Sequence, residues 1–106
     1  MVARGDVVLI DLDPTRGGEI RKTRPCAVVS PDELNLHLRT LVVVPLTTGS
    51  HPYPFRVSCK FAGKSGYLVA DQVRTIDRER VRRRLGKLTP RTLGHVLATL
   101  REMFAE

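Results

Sequence analysis

Pro14-Thr15-Arg16-Gly17-Gly18-Glu19-Ile20-Arg21-Lys22-Thr23-Arg24-Pro25-Cys26-Ala27-Val28-Val29-Ser30-Pro31 changes character near its middle. The first half reads as a mobile loop: Gly17 and Gly18 permit backbone angles that side chains with a Cβ avoid, and five charged residues crowd around them. The second half reads as a strand, with Pro25 at a permitted first position and Cys26 to Val29 forming an apolar run that must be buried. Arg24 stands at the seam between the two. A guanidinium anchored there is pre-organised, as a functional cation should be.

Working outward, Gly5 to Leu12 predicts a strand in which Val8, Ile10 and Leu12 share one face and Asp11 and Asp13 fall on the other. Asp13-Pro14 ends it. After the second strand, Ser30-Pro31-Asp32-Glu33 has the form of a capping box with Pro at the first helical turn. It predicts a short helix over Pro31 to about Leu38, covering one end of a barrel. Thr40 to Leu46 is the most hydrophobic run, and Val42, Val43 and Val44 call for a central strand buried on both sides. Thr47 to Pro54 then collects hydroxyls, an imidazole and a phenol in eight residues. A strand follows in which Phe55, Val57 and Cys59 alternate with Arg56, Ser58 and Lys60. Gly63 to Gly66 reads as a turn, Tyr67 to Val73 as a strand ending in Asp71-Gln72, and Val81 to Leu88 as a last, basic strand. Thr89-Pro90 opens a helix whose Leu93, Val96, Leu97, Leu100 and Phe104 recur at amphipathic spacing. Short strands separated by turns, with a helix at the end, give a mainly β chain with short helices. The fold class is a small, strongly bent sheet or barrel rather than a parallel α/β fold.

At 106 residues the chain forms one domain, 1–106, with one core. Eighteen Lys and Arg against eleven Asp and Glu leave a net charge of +7, which favours a polyanionic partner or marks a solvated basic surface. Five of the seven residues from Arg78 to Arg84 are arginine, either steering such a partner or forming a basic edge that deters strand pairing. Aromatic residues make up 5% of the chain and Trp is absent, so a broad base-stacking platform is excluded. Cys26 and Cys59 read as small buried hydrophobes. They have no CxxC spacing or His cluster, so neither a disulfide framework nor a metal site is expected, and no cofactor. No apolar run reaches membrane-spanning length and no secretory signal opens the chain, so a cytoplasmic protein away from any membrane is expected.

Several blocks together carry a family resemblance: Arg4-Gly5-Asp6-Val7-Val8 with Asp11-Leu12-Asp13-Pro14-Thr15-Arg16-Gly17, Arg24-Pro25 with Val28-Val29-Ser30-Pro31, Val44-Pro45-Leu46-Thr47-Thr48, Tyr53-Pro54-Phe55 and Ala70-Asp71-Gln72-Val73-Arg74. In this order and spacing they resemble the MazF/PemK toxin endoribonucleases over almost the whole chain. Leu9 departs from the pattern, since many relatives carry an aromatic residue after the Gly-Asp pair. The resemblance implies an SH3-like small barrel with a C-terminal α-helix, working as a homodimer with an RNA groove across the subunit interface. It also implies metal-independent, sequence-specific cleavage of single-stranded RNA and a cognate MazE-like antitoxin with an acidic tail that covers the groove. The catalytic pair it implies is Arg24 and Thr47.

Without a metal, RNA is most readily cut by its own 2′-OH attacking the adjacent phosphorus. A 2′,3′-cyclic phosphate and a 5′-OH remain, and negative charge gathers on the non-bridging oxygens in the transition state. Arg24 can offer two N–H donors to two of those oxygens, which Lys cannot match. Thr47 can add a neutral donor. A guanidinium stays protonated and is a poor base, so the 2′-OH proton goes elsewhere, with Glu19, His51 and Asp71 the candidates by type. The RNA-contact set is Arg16, Glu19, Arg21, Thr48, Ser50, Tyr53 and Gln72. Arg16 and Arg21 either grip flanking phosphates or are solvated; Tyr53 stacks on a base or covers the barrel rim; Gln72 bonds a base edge or caps a strand. His37 and His95 fall in helices, outside this chemistry. Two other readings stand beside the RNase: a catalytically silent SH3-like module binding RNA or a peptide, and a gyrase poison like the CcdB toxins.

Overall fold

The computed structural model describes residues 2–49 and 51–106. Seven strands form one antiparallel sheet: β1 (Asp6–Asp11), β2 (Thr23–Val28), β3 (Thr40–Thr47), β4 (Arg56–Phe61), β5 (Lys64–Val69), β6 (Arg74–Asp77) and β7 (Val81–Lys87). The helices are α1 (Asp32–His37) and α2 (Pro90–Met103). The strand order is β4-β5-β3-β2-β1-β7, with β6 also paired to β3. β3 is the hub: Thr40 to Val43 pairs with β6, Val43 to Pro45 with β2, and Leu46 and Thr47 with β5.

Serving three partners along eight residues bends the sheet sharply, which gives the barrel-like mainly β architecture expected. The barrel is not closed, since β4 and β7 end the strand path without pairing. Phe61 of β4 spans part of the opening, its ring so near Gly86 of β7 that a Cβ there would stand 3.2 Å away.

Val43 and Val44 point to opposite faces, and both are fully buried. Val44 joins Val7, Ala27, Leu46, Val57 and Leu68 under Val96 of α2. Val43 joins Val8, Ile10, Leu12, Cys26 and Val28 on the other face. The expected central strand buried on both sides is therefore present, and the period-two alternation of β1 and β2 follows the same division. Burial pushes the Cys26 thiol up to about 12, and the half-buried Cys59 is raised for the same reason. Thr89 caps α2 by accepting from the Thr92 amide, with Pro90 opening the helix.

Several expectations need correction. The hairpin turn after β4 is Ala62-Gly63, both with positive φ, the geometry that best joins two twisted strands. Gly66 consequently lies inside β5 rather than in a turn. Asp71 and Gln72 lie in a 3-10 turn (Ala70–Gln72), because the apolar run from Tyr67 to Val73 is broken there before the separate four-residue strand β6. Phe55 precedes β4 in a left-handed conformation and is exposed. Pro25 is the third residue of β2, opposite Leu9.

Ser30 does not cap α1. Its hydroxyl donates to Asn35 Oδ1 at 2.6 Å and accepts from the Val42 amide at 3.1 Å, while Pro31 takes the N-cap position with no side-chain bond. α1 is thus seated by the buried Asn35, and Leu34, Leu36 and Leu38 face outward. Phe104 likewise leaves the apolar face of α2 and is 72% exposed. No helix of the described residues is long and apolar enough to cross a membrane.

Candidate RNA-cleaving site

β2 and β3 run antiparallel with Cys26 opposite Pro45, Ala27 opposite Val44 and Val28 opposite Val43. The ladder stops at Cys26 and Pro45, and Arg24 and Thr47 each lie two residues beyond it on these neighbouring strands. Both side chains are half-buried. They line one cleft of about 450 Å³ together with Thr48, Arg56, Val69 and Gln72. Arg24 donates from Nε to the Arg21 carbonyl at 3.2 Å. Among the described residues it has no carboxylate partner, so its charge is left for whatever enters the cleft.

The loop from Asp13 to Lys22 is bonded to the rest of the fold by Gln72. The amide of Ile20 donates to Gln72 Oε1 at 2.7 Å, and Gln72 Nε2 donates to the Gly18 carbonyl at 3.3 Å. Within the loop the Glu19 carboxylate accepts from the Arg16 amide, and the Glu19 amide donates to the Arg16 carbonyl at 3.1 Å. Gln72 thus fixes the wall of the cleft, which the sequence reading did not foresee. A second depression of about 480 Å³ shares Gly18, Ile20 and Gln72 with the first and adds Glu19, Asp71 and Arg74. Two of the three candidate proton acceptors therefore stand beside the Arg24–Thr47 cleft.

The third, His51, is exposed and meets Tyr53 edge-on, ring centroids 6.2 Å apart. Arg16 and Arg21 are exposed on the loop and line neither depression. Ser50 lies outside the described residues. Of the RNA-contact set, the cleft therefore gathers Thr48 and Gln72 directly, Glu19 next door and Tyr53 through Arg56.

Arg56 is one of two residues that the sequence reading missed. Its Nε and Nη2 donate to the two carboxylate oxygens of Asp71 at 3.2 and 3.3 Å, and its guanidinium carbon lies 4.9 Å from the centre of the Tyr53 ring. The hydrogen bond to Asp71 pushes the guanidinium above its ordinary range. A signal was available: the alternation of β4 puts Arg56 on the face away from Val57, which is core. The other is Gly66. A Cβ there would sit 2.1 Å from the Thr47 carbonyl oxygen and 3.2 Å from Thr48 Cα, so only glycine lets β5 approach the end of β3 this closely.

Of the arginine-rich stretch, Arg78, Arg80, Arg82 and Arg84 line neither depression and bond to their own chain. Arg78 donates to the Leu38 carbonyl at 2.8 Å, and Arg80 to the carbonyls of Asp11 and Asp13 at 3.2 and 2.6 Å. Arg82 pairs with Asp11 at 2.9 Å and Arg84 with the buried Asp6 at 3.3 Å. Among the described residues no group of three or more His, Cys, Asp or Glu is placed to hold a metal ion.

Residues 3–104 match the family of PemK-like, MazF-like toxins of type II toxin–antitoxin systems. The endoribonuclease toxin MazF of Escherichia coli K12 is 36% identical over 97 residues, spanning 91% of this chain and 87% of that protein. The crystal structure of MazF from Deinococcus radiodurans superposes with a TM-score of 0.85 at 30% identity, covering 96% of this chain and 94% of that one. A mycobacterial endoribonuclease solved in complex with its cognate antitoxin gives 0.81 at 27% identity, covering 96% and 93%. With the matched residues running nearly end to end and the same bent sheet beneath them, the chain belongs to the PemK-like, MazF-like toxin family.

Proposed function

We propose that this toxin, an endoribonuclease like its relatives, cuts single-stranded RNA, mRNA in the cell, by in-line attack of the 2′-OH on the adjacent phosphorus, without a metal. The observation that carries this reading is that Arg24 and Thr47 line one cleft, with no carboxylate paired to Arg24 among the described residues. A phosphate seated there would receive paired N–H donors from Arg24, and the Thr47 hydroxyl would donate to it or hold it in line. The charge that builds on the non-bridging oxygens is stabilised by a cation already in position. Losing one such donor typically costs about 3 to 4 kcal/mol of barrier, and phosphoryl-directed arginines contribute on the order of a thousandfold or more. Glu19, lining the adjoining depression, is better placed than His51 to receive the 2′-OH proton, since both carboxylate oxygens of Asp71 are engaged by Arg56. The products are a 2′,3′-cyclic phosphate and a 5′-OH.

Cleavage at a short recurring sequence would stop translation in the cytoplasm. Restraint would come from a MazE-like antitoxin whose acidic tail lies over the basic cleft; the net charge of +7 favours such a partner, and a relative has been solved with its antitoxin. The toxin works as a homodimer. Support comes from an apolar groove of about 550 Å³ between α1 and α2, with Leu34, Leu97, Leu100 and Phe104 in its walls. Sedimentation showing only monomer at micromolar protein would refute the dimer.

The cleavage reading is tested by incubating the protein with a long mixed-sequence RNA in excess EDTA and mapping the new ends. Fragments with a 5′-OH at one recurring sequence are expected. Intact RNA at micromolar protein would overturn it in favour of a silent binding module, and damage to DNA gyrase alone would favour the CcdB-like activity.

A further inference from the structure

The cleft holds two arginines in different electrostatic situations. Arg24 bonds a backbone carbonyl and keeps its charge unmatched, whereas Arg56 is gripped by both oxygens of Asp71. Arg56 opens β4 directly across from Val69, the last residue of β5, and the chain then turns through Ala70 to place Asp71 beside it. Its guanidinium also lies 4.9 Å from the centre of the Tyr53 ring, and its side chain is only 18% exposed. A carboxylate along one edge and an aromatic ring against it leave this side chain little rotamer freedom to lose on binding.

The two situations suit different parts of a nucleotide. A phosphate is rewarded chiefly by net positive charge, which Arg24 supplies and the Arg56–Asp71 pair largely cancels. A base is read by donors of fixed direction and by stacking on flat surfaces, neither of which needs net charge. Arg56 meets that second requirement and lines the same cleft as Arg24 and Thr47.

Resting on the RNA-cleft reading above, we infer that Arg56 is a specificity-determining residue that contacts a nucleobase beside the scissile phosphate, with Asp71 and Tyr53 as its positioning residues. Arg24 takes the phosphate; Arg56 takes the base.

The test uses RNA randomised around a fixed centre, digested by the wild-type protein, Arg56→Gln and Arg56→Lys, with sequencing of the 5′-OH ends. Affinity for the 2′-deoxy form of the wild type's best sequence is measured at several salt concentrations in parallel. In both variants the base preference at one position next to the cut should fall roughly tenfold or more, with other positions and the salt slope unchanged. Asp71→Asn, which keeps Arg56 but removes its holder, should relax the same position to a smaller degree. Arg56→Lys keeps the stem and charge, so it gives the same reading should Arg56→Gln fail to fold. A uniform loss over all sequences with a salt slope smaller by about one phosphate would overturn the inference by making Arg56 a phosphate contact. An unchanged preference profile would overturn it by making Arg56 structural. Absence of cleavage by the wild type would instead strike the parent reading, so the two failures are distinguishable.

Discussion

Arg80, Arg82 and Arg84 meet acceptors of their own chain beside β1, whereas at the start of β2 Arg24 meets an open cleft. Arg82 is spent on Asp11, Arg84 on buried Asp6 and Arg80 on the carbonyls of Asp11 and Asp13. These bonds fasten β7 to β1 along a ladder whose register slips twice, between Val7 and Val8 and between Leu9 and Ile10. Arg24 has one carbonyl and no carboxylate among the described residues. A run of positive charge in a sequence therefore says little about where a polyanion binds. What decides is which cations the fold leaves unmatched at a concave surface.

The sharpest way to break this contrast is to remove one arginine from each region. Arg24→Ala should lower the single-turnover cleavage rate by several orders of magnitude while affinity for a 2′-deoxy substrate falls far less, because the contact strengthens in the transition state. Arg82→Ala should stay within severalfold of wild type. If Arg24→Ala kept a tenth of the rate, or if the two variants fell equally, the division into spent and unmatched arginines would be wrong.

Next in size is Gly66→Ala, which leaves every charge in place and disturbs only the backbone under Thr47. A methyl 2.1 Å from the Thr47 carbonyl cannot be accommodated without moving the end of β3 or of β5. Displacements of about 1 Å around a catalytic group cost on the order of a hundredfold in rate. Overpacking of this kind costs about 1 to 3 kcal/mol in stability. The rate, compared with thermal unfolding of the same sample, checks both, and a rate within twofold of wild type would mean that the Thr47 backbone does not need its present position.

Which of these features were legible beforehand follows from how local each one is. Arg24-Pro25 and Val44-Pro45-Leu46-Thr47 announce themselves as blocks, and the β-branched run around Val43 identifies the hub strand. Their meeting in one cleft depends on the pairing of β2 with β3, which no single block contains. The glycines and charges of the loop are local and legible, but the partner of its Ile20 amide, Gln72, comes 52 residues later. Gly66 passed for a turn residue since its real neighbour is Thr47, nineteen positions away and on another strand. Ser30 satisfied every local requirement of a capping box, yet Val42 and Asn35 compete for the same hydroxyl and win. Arg82 and Arg84 illustrate the same limit, because their acceptors lie on β1 near the other end of the chain.

The smallest effect concerns whether Arg82 is truly spent, and it can be read from pH. The hydrogen bond from Arg82, helped by the Asp13 amide, holds the Asp11 carboxyl below its ordinary value of 3.8. A carboxyl whose pKa is lower folded than unfolded contributes stability that is fully present above the unfolded value and is lost as pH falls through the folded one. The thermal midpoint of the wild-type protein should therefore exceed that of Arg82→Gln slightly at pH 7, and the gap should close as pH drops below 3.8. Salt should narrow the gap as well, since the pair is exposed and screened. A gap that persisted unchanged at pH 2 would show that Arg82 acts through its aliphatic stem rather than through Asp11, and Arg82 would then have charge to offer an outside partner after all.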